Sequence, residues 1–359
     1  MTGIVSFGGY IPRLRLQRKA VATANAWFAP NLMGSAKGER SMANWDEDAI
    51  TMAVEAGRDC LPGADPLTAR AHVDAIYFAS TTAPFADRQN AGVVAAALSL
   101  PETISATDIG GSQRAATSAL IAALNAVKAG SSKHAVVLAS EKRKAKAASS
   151  QELSFGDGAA ALEIGSENVI ARLLGHAALT VDFVDHFRSE GEDYDYNWEE
   201  RWIRDEGYSK IVPRAVKTAL ADAGVAPSAI DHFVMPCPFA KLDQTIAKQC
   251  GIGPEKVRDS LAANVGDTGA AHPLVMLVHA LEQAKPGEKI LVAAFGQGCD
   301  VLVFEATEAL AKLPKRTGIA GSIARRKEET NYLKFLGFNG LIELEKGMRA
   351  EKDNKTALT

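Results

Sequence analysis

Cysteine is sparse and unpatterned in this 359-residue chain. Cys60, Cys237, Cys250 and Cys299 fall at no C-x-x-C spacing, which argues against a disulfide framework or a thiolate metal site. A reduced, cytoplasmic compartment follows as the expectation, with no metal. Charge of one sign is also missing. Lys and Arg number 40 against 43 Asp and Glu, a formal net of −3, so no global field draws nucleic acid and any phosphate binding must come from local basic clusters. No apolar run approaches the length of a membrane span. The opening MTGIVSFGGYIP lacks the charged, apolar and cleavage regions of a signal peptide and reads as a strand and turn.

What is present is a repeated pattern. Apolar residues make up 47% of the chain, which suits packed α/β layers. Short apolar runs at Ile4–Phe7, Ala75–Ala79, His134–Ala139, Ala159–Ile164, His232–Met235, Ile290–Ala294 and Val301–Phe304 predict strands. Ala-rich stretches of helical period lie between them at Ile50–Cys60, Ala91–Leu98, Ala115–Ala129, Ile211–Ala223 and Leu274–Gln283. The helix from Ala115 has no charged face between Thr117 and Asn125, which predicts burial on all sides between two sheets. The expected fold class is α/β, and a duplicated five-layer α-β-α-β-α sandwich would explain the pattern.

Two glycine-rich bends mark the duplication, DIGGSQRAATSAL from Asp108 and NVGDTGAAHPL from Asn264. Each half closes on a related string, FGDGAAALEIG from Phe155 and FGQGCDVLVFE from Phe295. The predicted division is a first half over 1–165, a second half over 166–310 and a charged tail over 311–359. Within the second half, 181–208 is an aromatic, acidic insertion, expected either to cap a cavity or reach a partner, or to be a surface excursion with Trp198 and Trp202 packed on the body. The tail carries one amphipathic stretch near Tyr332–Leu344 and is expected to dock on another subunit or to lead into a further domain.

A strand that turns through small residues into a buried helix presents one side chain at the positive end of the helix dipole, where a thiolate nucleophile would be stabilised. The string GIVSFGGYIPRLRL from Gly3, the segment Asp46–Asp59, FGDGAAALEIG, PFAKL over Pro238–Leu242, VGDTGAA and FGQG together resemble the thiolase superfamily. The resemblance is strongest to the 3-hydroxy-3-methylglutaryl-CoA synthase branch, with ketoacyl synthase III as a cousin, and spans roughly residues 3–306. It implies a coenzyme A thioester as substrate with no bound cofactor, acyltransferase or lyase chemistry, and a homodimer. The tail resembles segments that precede a zinc-ribbon and OB-fold acyl-CoA-binding module in related proteins, implying such a module as partner or fused domain.

The resemblance also places the family's functional positions, and here the residues differ. Gln113 stands where the family has its nucleophilic cysteine, and Thr81 where the synthase has its acid/base glutamate. Pro236 and Cys237 begin the run that carries the family's histidine, and Asp267 occupies the bend position of the catalytic asparagine or histidine. Gln cannot form a thioester, but its amide can hold a carbonyl or enolate oxygen. The expected chemistry is therefore a C–C bond made or broken by condensation, decarboxylation or retro-aldol cleavage without a Cys thioester. The alternative is a non-catalytic subunit.

The remaining candidates each have a plainer role. Ser112 is a rival nucleophile or a turn residue at a helix start. Cys237 is a reactive thiol or a packed one. His272 is a base or a packed helix-start histidine. Asp267 is the expected acid/base, with a carboxyl pKa raised by an apolar cleft. The resemblance implies Lys241, Lys248 and Arg88 as contacts to coenzyme A, and Gly296–Gly298 as the loop lending a backbone N–H. The run Glu141–Lys146 reads as a solvated loop or a phosphate site.

Overall fold

The computed structural model describes residues 1–345. Nine strands form its large sheet: β1 (Gly3–Tyr10), β2 (Ala75–Ala79), β3 (Ser105–Ile109), β4 (Ala135–Glu141), β5 (Gly158–Gly165), β6 (Ala171–Thr180), β7 (His232–Val234), β8 (Lys289–Phe295) and β9 (Gly298–Ala306). Their spatial order is β7-β8-β9-β6-β1-β5-β4-β2-β3. In the sheet the two halves join where β1 pairs antiparallel with β6, at Gly3 opposite Arg172 and Ile4 opposite Ala171. Within the first half, β4, β2 and β3 run parallel and β5 antiparallel to β4. In the second half, β7 and β8 run parallel and β9 antiparallel to β8. The halves thus share one plan.

Six helices supply the other layers: α1 (Ala49–Cys60), α2 (Asn90–Ala97), α3 (Ala115–Ala129), α4 (Ser209–Ala223), α5 (Leu242–Gln249) and α6 (His272–Leu281). Leu120 and Leu124 of α3, Leu274 and Leu277 of α6 and the inner faces of both half-sheets belong to one apolar cluster. A second cluster packs α1 and α2 on the outer face of the first half, and a third packs α4 and α5 on the second. Because the strands are covered on both faces, β4 and β5 are continuous buried runs rather than alternating ones. The five layers follow.

α1 begins with a reciprocal capping box, Asp48 accepting from Thr51 N–H at 2.8 Å while Thr51 Oγ1 accepts from Asp48 N–H at 2.7 Å. α3 is less enclosed than its composition predicts, since Asn125 is exposed and Ser118, Ile121 and Ala122 are half-buried.

The described part of the tail lies on the body of the chain. Residues 311–345 pack on their own chain: Lys327–Glu329 pairs parallel with Leu14–Leu16, Ile319 joins the central cluster, and Phe335 is buried beneath the Arg40 guanidinium, 5.0 Å from the ring centre. The Tyr332 hydroxyl donates to Glu152 at 2.8 Å. Residues 346–359, the rest of the tail predicted to reach a partner, lie outside the described residues. No helix among the described residues is long and apolar enough to cross a membrane.

Candidate active site

The first bend leaves β3 at Ile109, and Gln113 lies just before α3. Two second-half loops press against it. A Cβ added at Gly296 would stand 2.9 Å from the Gln113 Cβ, and one added at Gly269, whose φ is +58°, would stand 3.1 Å from Gln113 Oε1. Glycine at both places allows this approach. The two bends therefore converge on one side chain.

Arg114 locks the elbow in place. Its guanidinium donates to the Gly296 carbonyl at 2.7 Å and the Gln297 carbonyl at 3.1 Å, and pairs with Asp300 at 2.6 Å. Asp300 is 1% exposed and also accepts from Thr117 and Ser118. Every polar atom of the cluster has a partner, as a buried charge requires.

Gln113 Nε2 lies 3.0 Å from His186 Nε2. His186 Nδ1 in turn lies 3.0 Å from Asp185 Oδ2. An amide N–H donated to Nε2 leaves the ring proton on Nδ1, toward Asp185. This histidine comes from the insertion, where His186–Phe187 pairs antiparallel with Tyr196–Asn197. It belongs to none of the motifs that mark the other candidates in the sequence. Its signal was a His beside an Asp within an aromatic segment, with no family motif around it.

The second bend places Asp267 opposite Arg143. Arg143 Nη1 is 2.8 Å from Asp267 Oδ2 and Nη2 is 3.0 Å from Asp195 of the insertion, while the guanidinium lies 3.4 Å from the Phe155 ring centre. Gly269 N–H donates to Asp267 at 2.8 Å. Burial pushes the Asp267 carboxyl pKa up, but Arg143, His272 and that N–H outweigh it and hold the carboxyl below its usual range. The expected raised carboxyl is thus corrected: Asp267 is an ionised partner of Arg143, although its side chain keeps 40% of its exposure.

A buried carboxyl of the expected type does exist, at Glu141. It is fully buried and accepts from Thr81 N–H at 2.6 Å, Thr81 Oγ1 at 3.0 Å and the Thr82 hydroxyl. Burial pushes its pKa up despite these donors and Arg143. The run Glu141–Lys146 is accordingly not a solvated loop. Glu141 and Arg143 are buried, Lys142 donates to the Glu47 carbonyl at 2.8 Å and Lys144 pairs with Asp193 at 2.6 Å. The run docks the insertion over the site. Arg188 of the insertion completes the clasp, pairing with Asp195 at 3.2 Å and donating to the Thr81 carbonyl.

Three other candidates occupy their plainer places. Ser112 Oγ donates to the Gly296 carbonyl at 3.0 Å and accepts from Arg114 N–H at 3.1 Å, the bonds of a turn residue, with no base in contact. His272 is 3% exposed; Nδ1 accepts from Thr268 N–H at 3.1 Å and Nε2 meets the Ser260 carbonyl at 2.9 Å. Burial lowers its pKa, so it is a neutral, fully bonded core histidine. Burial pushes the Cys237 thiol up to about 12, too high to supply a thiolate near neutrality.

Lys241, Lys248 and Arg88 are exposed, and none of them forms an ion pair among the described residues. Arg88 lies over the Phe85 ring at 4.6 Å. Gly298 adopts φ +119° on the same loop as Gly296.

Tyr208, at the end of the insertion, is a further residue missed in the sequence. Its ring is buried against Phe295 at 4.3 Å and Phe239 at 5.8 Å. Burial, with the carboxylates of Asp185 and Asp267, raises its pKa well above the usual value. Its hydroxyl is accordingly protonated, within electrostatic reach of Asp185 and Asp267.

Comparison with known proteins agrees with this architecture. Residues 220–303 match the family model described as 3-oxoacyl-[acyl-carrier-protein (ACP)] synthase III C terminal. The hydroxymethylglutaryl-CoA synthase of Caldivirga maquilingensis is 29% identical, covering 96% of this chain and 99% of the relative. That of Pyrobaculum neutrophilum is 30% identical, covering 95% and 98%. A structure of MvaS in complex with 3-hydroxy-3-methylglutaryl coenzyme A superposes with a TM-score of 0.76 at 18% identity, covering 94% of this chain and 91% of that one. Sequence relationship over nearly the whole length, with the shared fold, assigns the chain to the hydroxymethylglutaryl-CoA synthase family of acyltransferases within the thiolase superfamily.

Proposed function

We propose that this protein makes or breaks a C–C bond on an acyl-CoA by acid–base chemistry, with no covalent acyl-enzyme. The observation that carries the reading is the Gln113–His186–Asp185 chain at the elbow, with contacts of 3.0 Å at each link. Gln113 contributes an amide N–H for the thioester oxygen, and as it turns to that oxygen it frees the Nε2 lone pair of His186, whose ring Asp185 orients. In the condensing direction His186 removes the α-proton of the acyl group. The resulting enolate attacks a second carbonyl carbon, and the imidazolium returns the proton to the new alkoxide. Retro-aldol cleavage is the same sequence reversed, and decarboxylation generates the same enolate from a carboxylated acyl group. Tyr208, kept protonated, donates to the developing oxyanion.

Coenzyme A enters past Lys241, Lys248 and Arg88, whose free charges suit its phosphates, and the Gly296–Gly298 loop faces the reacting carbonyl. Two duplicated halves, 1–165 and 166–310, hold the site between them, and the compartment is cytoplasmic. Incubation with acetyl-CoA in D2O tests the reading. The expected result is deuterium exchange at the acetyl methyl with no protein mass gain. A stable acetyl adduct on Ser112 or Cys237 would overturn the non-covalent mechanism.

A second reading rests on the insertion's exposed aromatics. Phe187, Tyr196 and Trp198 meet in series, tilted at 5.2 Å and edge to face at 6.3 Å, yet each remains 45–56% exposed, the composition of an interface core. On this reading the chain is the thiolase-fold subunit of a complex with a zinc-ribbon/OB-fold acyl-CoA-binding protein or domain. Activity that emerges only on mixing the two proteins would select it.

A further inference from the structure

A second cluster of chemistry-bearing side chains lies apart from the elbow. His72 follows the short helix Pro66–Ala69, His134 directly precedes β4, and Glu163 lies in β5. His134 thus stands at the opposite end of β4 from Glu141, the residue that reaches the active-site clasp. His72 Nε2 is 2.8 Å and His134 Nδ1 is 3.0 Å from the same oxygen, Glu163 Oε1. The two rings meet edge to face with centroids 4.8 Å apart, and the three ligand atoms all lie within 4.8 Å of one another.

We infer that His72, His134 and Glu163 form a binding site for a divalent first-row cation, with zinc as its natural test ion. Two imidazoles and a carboxylate are a donor set suited to zinc and its neighbours. Bonds of about 2.0–2.2 Å in a tetrahedron place ligand atoms roughly 3.3 Å apart, so the cation enters when the two short contacts open by a few tenths of an ångström and the third closes. Three segments contribute one donor each. Among the described residues neither ring gives its other nitrogen to a second partner, so the protein leaves both free to take the tautomer a metal needs.

Exposure supports access. The side chains of His72, His134 and Glu163 are 40%, 28% and 8% exposed, placing the carboxylate at the floor and the rings at the rim. A cavity of about 400 Å³ adjoins the cluster, lined by Ser6, Cys60, His72, Glu163, Lys312 and Arg316, with room for a water as fourth ligand. Bound there, the ion would tie the loop at residue 72 to β4 and β5.

The test is titration of the full-length, chelator-stripped protein with Zn2+ by calorimetry and with Co2+ by visible absorption. One equivalent is expected to bind at micromolar or tighter Kd, with the intense d–d bands of a four-coordinate site and a rise in melting temperature. His72→Ala, His134→Ala and Glu163→Gln should each weaken binding tenfold or more. His72 is exposed enough that its variant should melt like the parent without metal. No stoichiometric binding, or binding that survives both histidine substitutions, would overturn the inference.

Discussion

At the scale of single residues, the chemistry turns on what an amide can and cannot do. Gln113 offers two N–H donors and a carbonyl acceptor but no nucleophile. The work of moving protons falls to the group it touches, and that group is His186. Replacing His186 with Ala should lower kcat/KM about 100-fold or more, the usual share of a positioned acid or base. The fold should be almost unaffected, because among the described residues the ring bonds only to Gln113 and Asp185. Measured deuterium exchange and melting temperature separate these effects; exchange equal to the parent's would remove His186 from the mechanism. Part of this site was legible in the sequence. Gln113 and Asp267 sit on recognisable bends, and both are where the strings place them. Glu141, Arg143 and His186 were not legible, because they reach the site through contacts between residues 52 to 124 apart in sequence. The sign of the Asp267 shift was hidden for the same reason, since only the fold brings Arg143 to it.

Among elements, the loops that touch the elbow are tighter than the helices around them. Gly296→Ala would set a Cβ 2.9 Å from the Gln113 Cβ, against backbone that Arg114 holds from both sides. Overpacking of this kind costs about 1–3 kcal/mol and should also displace the Gln113 amide. A lowered denaturation midpoint together with lost exchange activity is the expected outcome, whereas an unchanged variant would show the loop to be pliable.

The tail segment Gly318–Ala324 makes a different prediction, about pH. Glu282, just past the end of α6, accepts from Ile319 N–H at 2.7 Å and Ala320 N–H at 3.1 Å. Burial, partly offset by those donors, pushes its carboxyl pKa up to about 7 from 4.5. A folded pKa above the unfolded one means the folded chain holds this proton more tightly. The associated stability is complete below about pH 4.5 and lost as pH rises through about 7. Glu282→Gln should remove that loss, so melting curves of parent and variant should diverge between pH 5 and 8 in the variant's favour. Parallel curves would show that Glu282 does not titrate there.

For the whole molecule, the layers were readable where strands are buried on both faces. β2, β4, β5, β8 and β9 announce themselves as apolar runs. β6 does not, because ARLLGHAALT has the Ala and Leu content of a helix and only one β-branched residue. β3 does not either, because SATDI lies at the sheet edge with Ser105, Thr107 and Asp108 exposed. That edge has a consequence for assembly. The opposite edge strand, β7, is buried throughout, so the sheet is open on one side only. Asp108, the single charge on β3, is engaged inward, its carboxylate accepting from the Asn90 and Ala91 N–H groups at 2.8 and 2.6 Å. It therefore does little to repel an approaching strand, the device by which exposed edges are usually protected. A second copy meeting this edge antiparallel would extend the sheet through both subunits. Light scattering on the eluting protein should then report twice the 38.0 kDa chain mass. Thr107→Arg would set two like charges near the two-fold axis of such a pair and should shift the mass toward one chain at micromolar concentration while leaving the far-ultraviolet circular dichroism unchanged. A parent protein that elutes as a monomer, or a variant whose dimer is undisturbed, would move the interface away from β3.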